Sequence, residues 1–240
     1  MAPPDRMDER LRALSLVEGQ RMAQALFAEV TARRLIAPGR SEREVSERIG
    51  DLAREAPGWG ACGPWRAVRS GPPHAPHSVL RAGQEPSQDR IIAEVDIVVV
   101  DLSPLLSGYG SSFVRTVVIG QAPNGRRLTE DLPRMFEAGR EAFHAKRNVT
   151  GAQLHAEVRT MATEAGWALA GRHAGHLVGT APNAPSTQAD AYNAYIAPAN
   201  DQPLRRTDEG GWQAHWMLEI NLLDEGGGHG GSYKGLLDLA

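Results

Sequence analysis

The side chains able to do chemistry fall into three short stretches. Asp101 closes a β-branched run and lies eleven residues before Ser112, the span a hairpin needs to bring two side chains over one pocket. His173 and His176 sit in Arg172-His173-Ala174-Gly175-His176-Leu177-Val178-Gly179, where glycines let backbone and ligand approach an imidazole closely. Glu219 and Asn221 are two apart in an apolar strand and face one side of it, while Lys234 lies across a glycine-rich turn on the following strand. A neutral imidazole beside a carboxylate can take or give a proton near pH 7. A desolvated lysine can act as a base or form a Schiff base.

The elements that hold these groups are legible from period and punctuation. Apolar residues at helical spacing run over 8–35, and Ala37-Pro38-Gly39 ends them. Ser41 with Glu44 is a capping box for a second helix to about Glu55. A strand is expected over 65–69 within a Gly-, Pro- and His-rich loop spanning 58–88, followed by a hairpin of strands 96–102 and 113–119. Helices follow over 130–146 and 150–165, the second opened by Thr150 and Gln153 in another capping box. A long loop over 180–211 precedes strands at 215–223 and 232–239, joined by the turn at 226–231. The stretches 41–59 and 150–167 match in cap, apolar spacing and terminal Gly-Trp, and each follows a longer helix, which predicts a two-fold internal repeat. The expected class is α+β, a curved, mostly antiparallel sheet covered by helices on one side, within a single domain over 1–240.

With these motifs placed, the sequence resembles the peptidase M24 superfamily: the pita-bread methionine aminopeptidases, prolidases, aminopeptidases P and creatinases. The resemblance runs from the first helix to Leu239. It implies a site in which a strand aspartate, a second aspartate eleven residues on, a histidine in a GH-x-x-G motif and two glutamates on the last two strands hold two divalent metals. Carried over by position, Asp101 matches the first aspartate and His176 the histidine, whereas Ser112 stands at the second aspartate. The run-in Trp216-Met217-Leu218 favours Asn221 over Glu219 at the penultimate-strand glutamate, and Ser232-Tyr233-Lys234-Gly235 puts Lys234 at the last. His77 resembles a substrate-facing histidine, and Asn183 takes the place of a second one.

The departures bear on chemistry through charge. Two divalent ions carry about four positive charges, and only Asp101 and Glu219 remain as anions beside neutral His176. Lys234 is therefore expected to stand in for a metal, paired with Asp101 or Glu219. The resemblance includes metal-free creatinases that work by histidine acid/base chemistry. The first expectation is thus an enzyme without a cofactor, acting on a small molecule or modified amino acid through His77, His173, His176 and Lys234. Asp101, Ser112, Glu219 and Asn221 would hold its substrate. The second is an aminopeptidase or Xaa-Pro peptidase retaining one ion, Mn, Fe, Co or Zn, on Asp101, His176 and Glu219; the third is a pocket that binds without turnover. Plainer roles stay open: a hairpin serine at Ser112, packing at His173, an edge-blunting lysine at Lys234. His74, His144, His155 and His229 read as surface or loop histidines, and the five tryptophans as core or cleft.

Composition sets the outer limits. A net charge of −3 with no Lys/Arg block excludes a nucleic-acid binder, and no apolar run reaches membrane-spanning length. The lone Cys62 allows no internal disulfide, giving a reducing, cytoplasmic expectation with Cys62 as a packing residue or a thiol nucleophile. The partner is expected to be a small molecule or short peptide, and the 180–211 loop is long enough to cover substrate or to form a homodimer.

Overall fold

The computed structural model describes residues 6–55, 66–71, 89–106, 108–178, 193–207, 211–226 and 228–239. Four helices, α1 (Arg6–Ala32), α2 (Glu42–Glu55), α3 (Gly125–Ala145) and α4 (Gly151–Glu164), interleave with nine strands. These are β1 (Arg66–Ser70), β2 (Asp96–Leu102), β3 (Leu105–Leu106), β4 (Tyr109–Gly110), β5 (Phe113–Ile119), β6 (Ala168–Leu169), β7 (Gly175–Leu177), β8 (Trp216–Leu223) and β9 (Gly230–Leu236). The main sheet is antiparallel in the order β1-β2-β5-β9-β8-β6, with β7 also on β8, and β3 and β4 form a small separate hairpin.

Strand alternation divides the sheet into two unlike faces. Val98, Val100, Leu102 and Phe113 point to one face and pack with Ala23, Leu26 and Val30 of α1 and Val45 and Ile49 of α2. Leu218, Ile220 and Leu222 point to the same face and pack with Leu128, Leu132 and Phe136 of α3 and Leu154 and Val158 of α4. The expected internal repeat is thus visible: each half is a helix pair over an antiparallel strand pair, and the halves meet where β5 pairs with β9. The residues between those apolar positions, Asp101, Glu219 and Asn221, face the other side. There a small cluster of Leu16, Val178, Met217 and Leu236 closes one end.

Local chemistry explains several boundaries. Thr150 caps α4 with the full reciprocal box, its hydroxyl accepting from Gln153 N–H at 3.2 Å and its own N–H donating to Gln153 Oε1 at 3.1 Å. At α2, Ser41 Oγ accepts from Glu44 N–H, while the Glu44 carboxylate takes Arg48. Helix α3 begins at Gly125, five residues before its expected start. Asn124 turns the chain there at φ 57°, a conformation asparagine tolerates, and Gly125 fits against Val118 where a Cβ would come within 2.5 Å. The last strand begins at Gly230, earlier than expected, because Gly230 and Gly231 pair with Leu223 and Leu222.

Two plainer expectations change, at His155 and Lys234, and the core reading of the tryptophans holds for Trp167 and Trp216. His155 is buried on the inner face of α4 and is not a surface histidine. Trp167 and Trp216 are core residues whose indole N–H groups donate to Asp131 Oδ2 and Leu204 O. Strand β9 lies inside the sheet, between β5 and β8, so Lys234 does not blunt an edge. Cys62, Trp59, Trp65, His74, His77, Asn183 and much of the two long loops lie outside the described residues. No helix among the described residues is long and apolar enough to cross a membrane.

Candidate functional site

One rung of the sheet carries the charged groups. Asp101 pairs with Val114, Val114 with Lys234, and Lys234 with Glu219, so all four residues point to the face opposite the two main helix-packed cores. His176 joins them from β7, opposite Met217, which is two residues from Glu219 on the same face.

Lys234 Nζ lies 3.0 Å from Glu219 Oε2, with both side chains almost wholly buried. The ammonium meets Oε2 as a buried ion pair. Asn221 Nδ2 donates to the other oxygen, Glu219 Oε1, at 2.8 Å, and Ser232 Oγ donates to Asn221 Oδ1. Sequence left open whether Glu219 or Asn221 faces the pocket centre; here Glu219 takes the cation and Asn221 holds Glu219.

Burial by itself would raise the Glu219 carboxyl, but the Lys234 ammonium and the Asn221 amide outweigh it and hold it below the usual range. Burial likewise works to lower Lys234, and the carboxylates of Glu219 and Asp101 overcome it, so the amine is held more firmly charged than in water. Desolvation alone would activate the amine for base or Schiff-base chemistry, and these two carboxylates act against it.

Asp101 is held differently. Ser103 Oγ donates to Asp101 Oδ1 at 3.0 Å, and Ser112 Oγ approaches the same oxygen at 3.4 Å. Burial raises its pKa, opposed by the Lys234 charge and these hydroxyls and reinforced by nearby Glu219. Ser112 therefore stands where the sequence placed it, as a neutral donor to Asp101.

The His176 imidazole makes a Nδ1···Leu177 O contact of 3.2 Å. A carbonyl only accepts, so Nδ1 carries the hydrogen and Nε2 keeps its lone pair in the neutral ring. Burial, with the Lys234 charge adding to it, lowers the His176 pKa to about 4. At neutral pH the ring is uncharged. His173 is also lowered, first by burial and then by Lys234, with Glu219 opposing. Its ring stacks on Tyr195 at 4.5 Å between centroids and 26° between planes, and among the described residues its buried Nδ1 has no hydrogen-bond partner.

The donor set does not fit a pair of divalent ions. Two of the five positions that the resemblance assigns to ligands are the neutral Ser112 and Asn221, and a third is the cation Lys234, which already neutralises Glu219. Among the described residues no three His, Cys, Asp or Glu side chains are grouped to hold an ion.

The fold is shared with known peptidases. A prolidase from Thermococcus sibiricus superposes with a TM-score of 0.70 at 20% identity over 96% of this chain and 57% of that one. An X-Pro aminopeptidase from Thermotoga maritima gives 0.66 at 20% identity over 94% and 57%. A methionine aminopeptidase from Thermotoga maritima gives 0.65 at 14% identity over 98% and 92%. Sheet, repeat and neighbours define a pita-bread protein. The sequence pattern of metallopeptidase family M24 matches residues 15–207, and the chain belongs to that family. No curated protein matches it closely enough to count as a relative. The chain spans under two thirds of the length of the prolidases it resembles.

Of the residues picked out from sequence, Asp101, Ser112, Glu219, Asn221 and Lys234 meet on one face with His176, and His173 stands beside them. Ser103, Ser232 and Tyr195 were not picked out. The period of two would have found the first two, since Ser103 is two residues from Asp101 and Ser232 two from Lys234. Tyr195 carries no local signal; a loop bridge to His176 brings it in.

Proposed function

We propose that this M24 protein is a peptidase-like enzyme acting on a short peptide, modified amino acid or similar small molecule, with Lys234 in place of a metal cation. The observation that carries the reading is the buried Lys234–Glu219 pair at 3.0 Å, on the strand position where the resemblance puts a metal-binding glutamate. Family membership and the prolidase and aminopeptidase neighbours support the peptidase-like part. In this reading His176 Nε2 accepts a proton from the substrate or from an attacking water. The Lys234 ammonium offsets negative charge developing on a carbonyl oxygen, while Asp101 and Glu219 orient the substrate.

The family match also favours a second reading, a metal-dependent peptidase with a single ion on Asp101, His176 and Glu219. It requires Lys234 to leave Glu219. One assay separates the two: turnover of Xaa-Pro dipeptides, methionyl peptides and amino-acid amides, with and without chelator. The first reading predicts turnover that survives chelation and falls at least a hundredfold, or about 2.7 kcal/mol in barrier, in His176→Ala. Loss on chelation with recovery on added Mn or Co establishes the second.

A further inference from the structure

We propose that Tyr195 and His173 form an aromatic subsite of this pocket, which receives the ring of an aromatic amino acid or its amide while the polar end lies against Lys234, Glu219 and Asp101. The inference rests on the small-molecule reading above and names its substrate class.

The platform is built and fixed. One face of the Tyr195 ring is covered by His173, stacked at 4.5 Å, yet the residue remains 39% exposed, one of the few large hydrophobics left in solvent. Its backbone is anchored on both sides: Leu177 N–H donates to Ala194 O at 2.8 Å and Ile196 N–H to Gly175 O at 2.9 Å. Asn200 Nδ2 donates to Tyr195 O at 2.7 Å. A ring held this way loses little freedom when a ligand stacks on it.

The site also has unmet polar capacity of the right kind. Among the described residues His173 Nδ1 is buried without a hydrogen-bond partner. Tyr195 bridges His176, and His176 lies opposite Met217, two residues from Glu219 on the same strand, so the platform adjoins the ion pair. Two carboxylates around one ammonium complement an α-amine next to a carbonyl or carboxylate: the amine meets Asp101 and the carbonyl oxygen meets Lys234. A flat, electron-rich ring then suits Tyr195 better than an aliphatic group of equal size, because offset stacking adds to the area buried.

The test uses the full chain and ligand-observed NMR with L-phenylalaninamide, L-cyclohexylalaninamide and glycinamide. The two larger probes match in size, and only the first has a π face. Phenylalaninamide should bind about two- to tenfold more tightly than cyclohexylalaninamide. Tyr195→Phe should keep that ratio and Tyr195→Ala should abolish it, with unchanged circular dichroism showing that the fold survives. Lys234→Ala should weaken all three probes and leave the ratio intact. Equal binding of the two larger probes, a ratio that survives Tyr195→Ala, or no binding of any probe overturns the subsite. A ratio that holds while all binding is insensitive to Lys234→Ala upholds the subsite and instead refutes the role given to the ion pair.

Discussion

Lys234 and Glu219 stand directly opposite each other on β9 and β8, and their charged ends meet 3.0 Å apart on the face of the sheet that also carries Asp101. Neither strand is at an edge, and both side chains are almost wholly out of solvent. A buried pair of this kind is weak support for stability, because desolvation offsets most of the attraction. The pair shares its face with Asp101 and His176, and its charges bear on both.

Removing one member of the pair should expose that balance. Lys234→Met leaves Glu219 buried and unpaired and should cost about 3–5 kcal/mol. Adding Glu219→Leu should recover most of the loss, since an apolar pair of similar volume is often neutral or better. Urea unfolding of the two single variants and the double variant measures it; additive losses would show that the two groups act independently.

His176 should titrate far below an ordinary histidine. Its NMR midpoint is predicted at about 4, against about 6.5 for a free imidazole. The folded state then binds fewer protons than the unfolded chain between those values. The His176 contribution to stability is lost as pH falls through that window and is complete above it. His176→Gln should flatten that part of the stability curve.

Arg115, next to Val114 on β5 and paired with Val100, points to the opposite face of the sheet from Lys234, its guanidinium 3.7 Å from the Phe113 ring centroid and 3.5 Å from that of Tyr233. Its Nη1 donates to Lys234 O at 2.8 Å and to Val114 O at 2.7 Å, where β5 and β9 share a single register pair. Arg115→Met should lower stability by about 2 kcal/mol through the lost cation–π contacts and carbonyl bonds. It should also shift the Lys234 Nζ resonance, which a change remote from this seam would not do.

Gly175 has φ 150°, and a Cβ there would lie 2.1 Å from Met217 O. Gly175→Ala must push β7 off β8 and should cost about 1–3 kcal/mol. Thermal unfolding reads the cost, and the His176 imidazole resonances read the displacement of the adjacent side chain.

Much of this was legible in the chain because it rests on short periods. Alternation placed Asp101, Glu219 and Lys234 on strands, and Thr150 with Gln153 marked the start of α4 to the residue. The count of charges among the ligand positions led to the expectation that Lys234 pairs with Asp101 or Glu219, and it pairs with Glu219. Pairing across the sheet was not legible: that Glu219 rather than Asn221 takes the lysine depends on the β8–β9 register, and a slip of two residues would have exchanged them. Tyr195 and the short strands β6 and β7 depend on loop paths with no periodic signal, and the buried state of His155 depends on how α4 is rotated against the core.

The claim that Lys234 occupies the place of a cation is tested most directly by metal content. Wild-type protein and Lys234→Glu, purified without chelator and equilibrated with Mn, Co or Zn, would be gel-filtered and analysed for metal and protein together. The account predicts substoichiometric metal in the wild type and a clear gain in Lys234→Glu, where a carboxylate replaces the ammonium. Stoichiometric metal bound by the wild-type chain would contradict it.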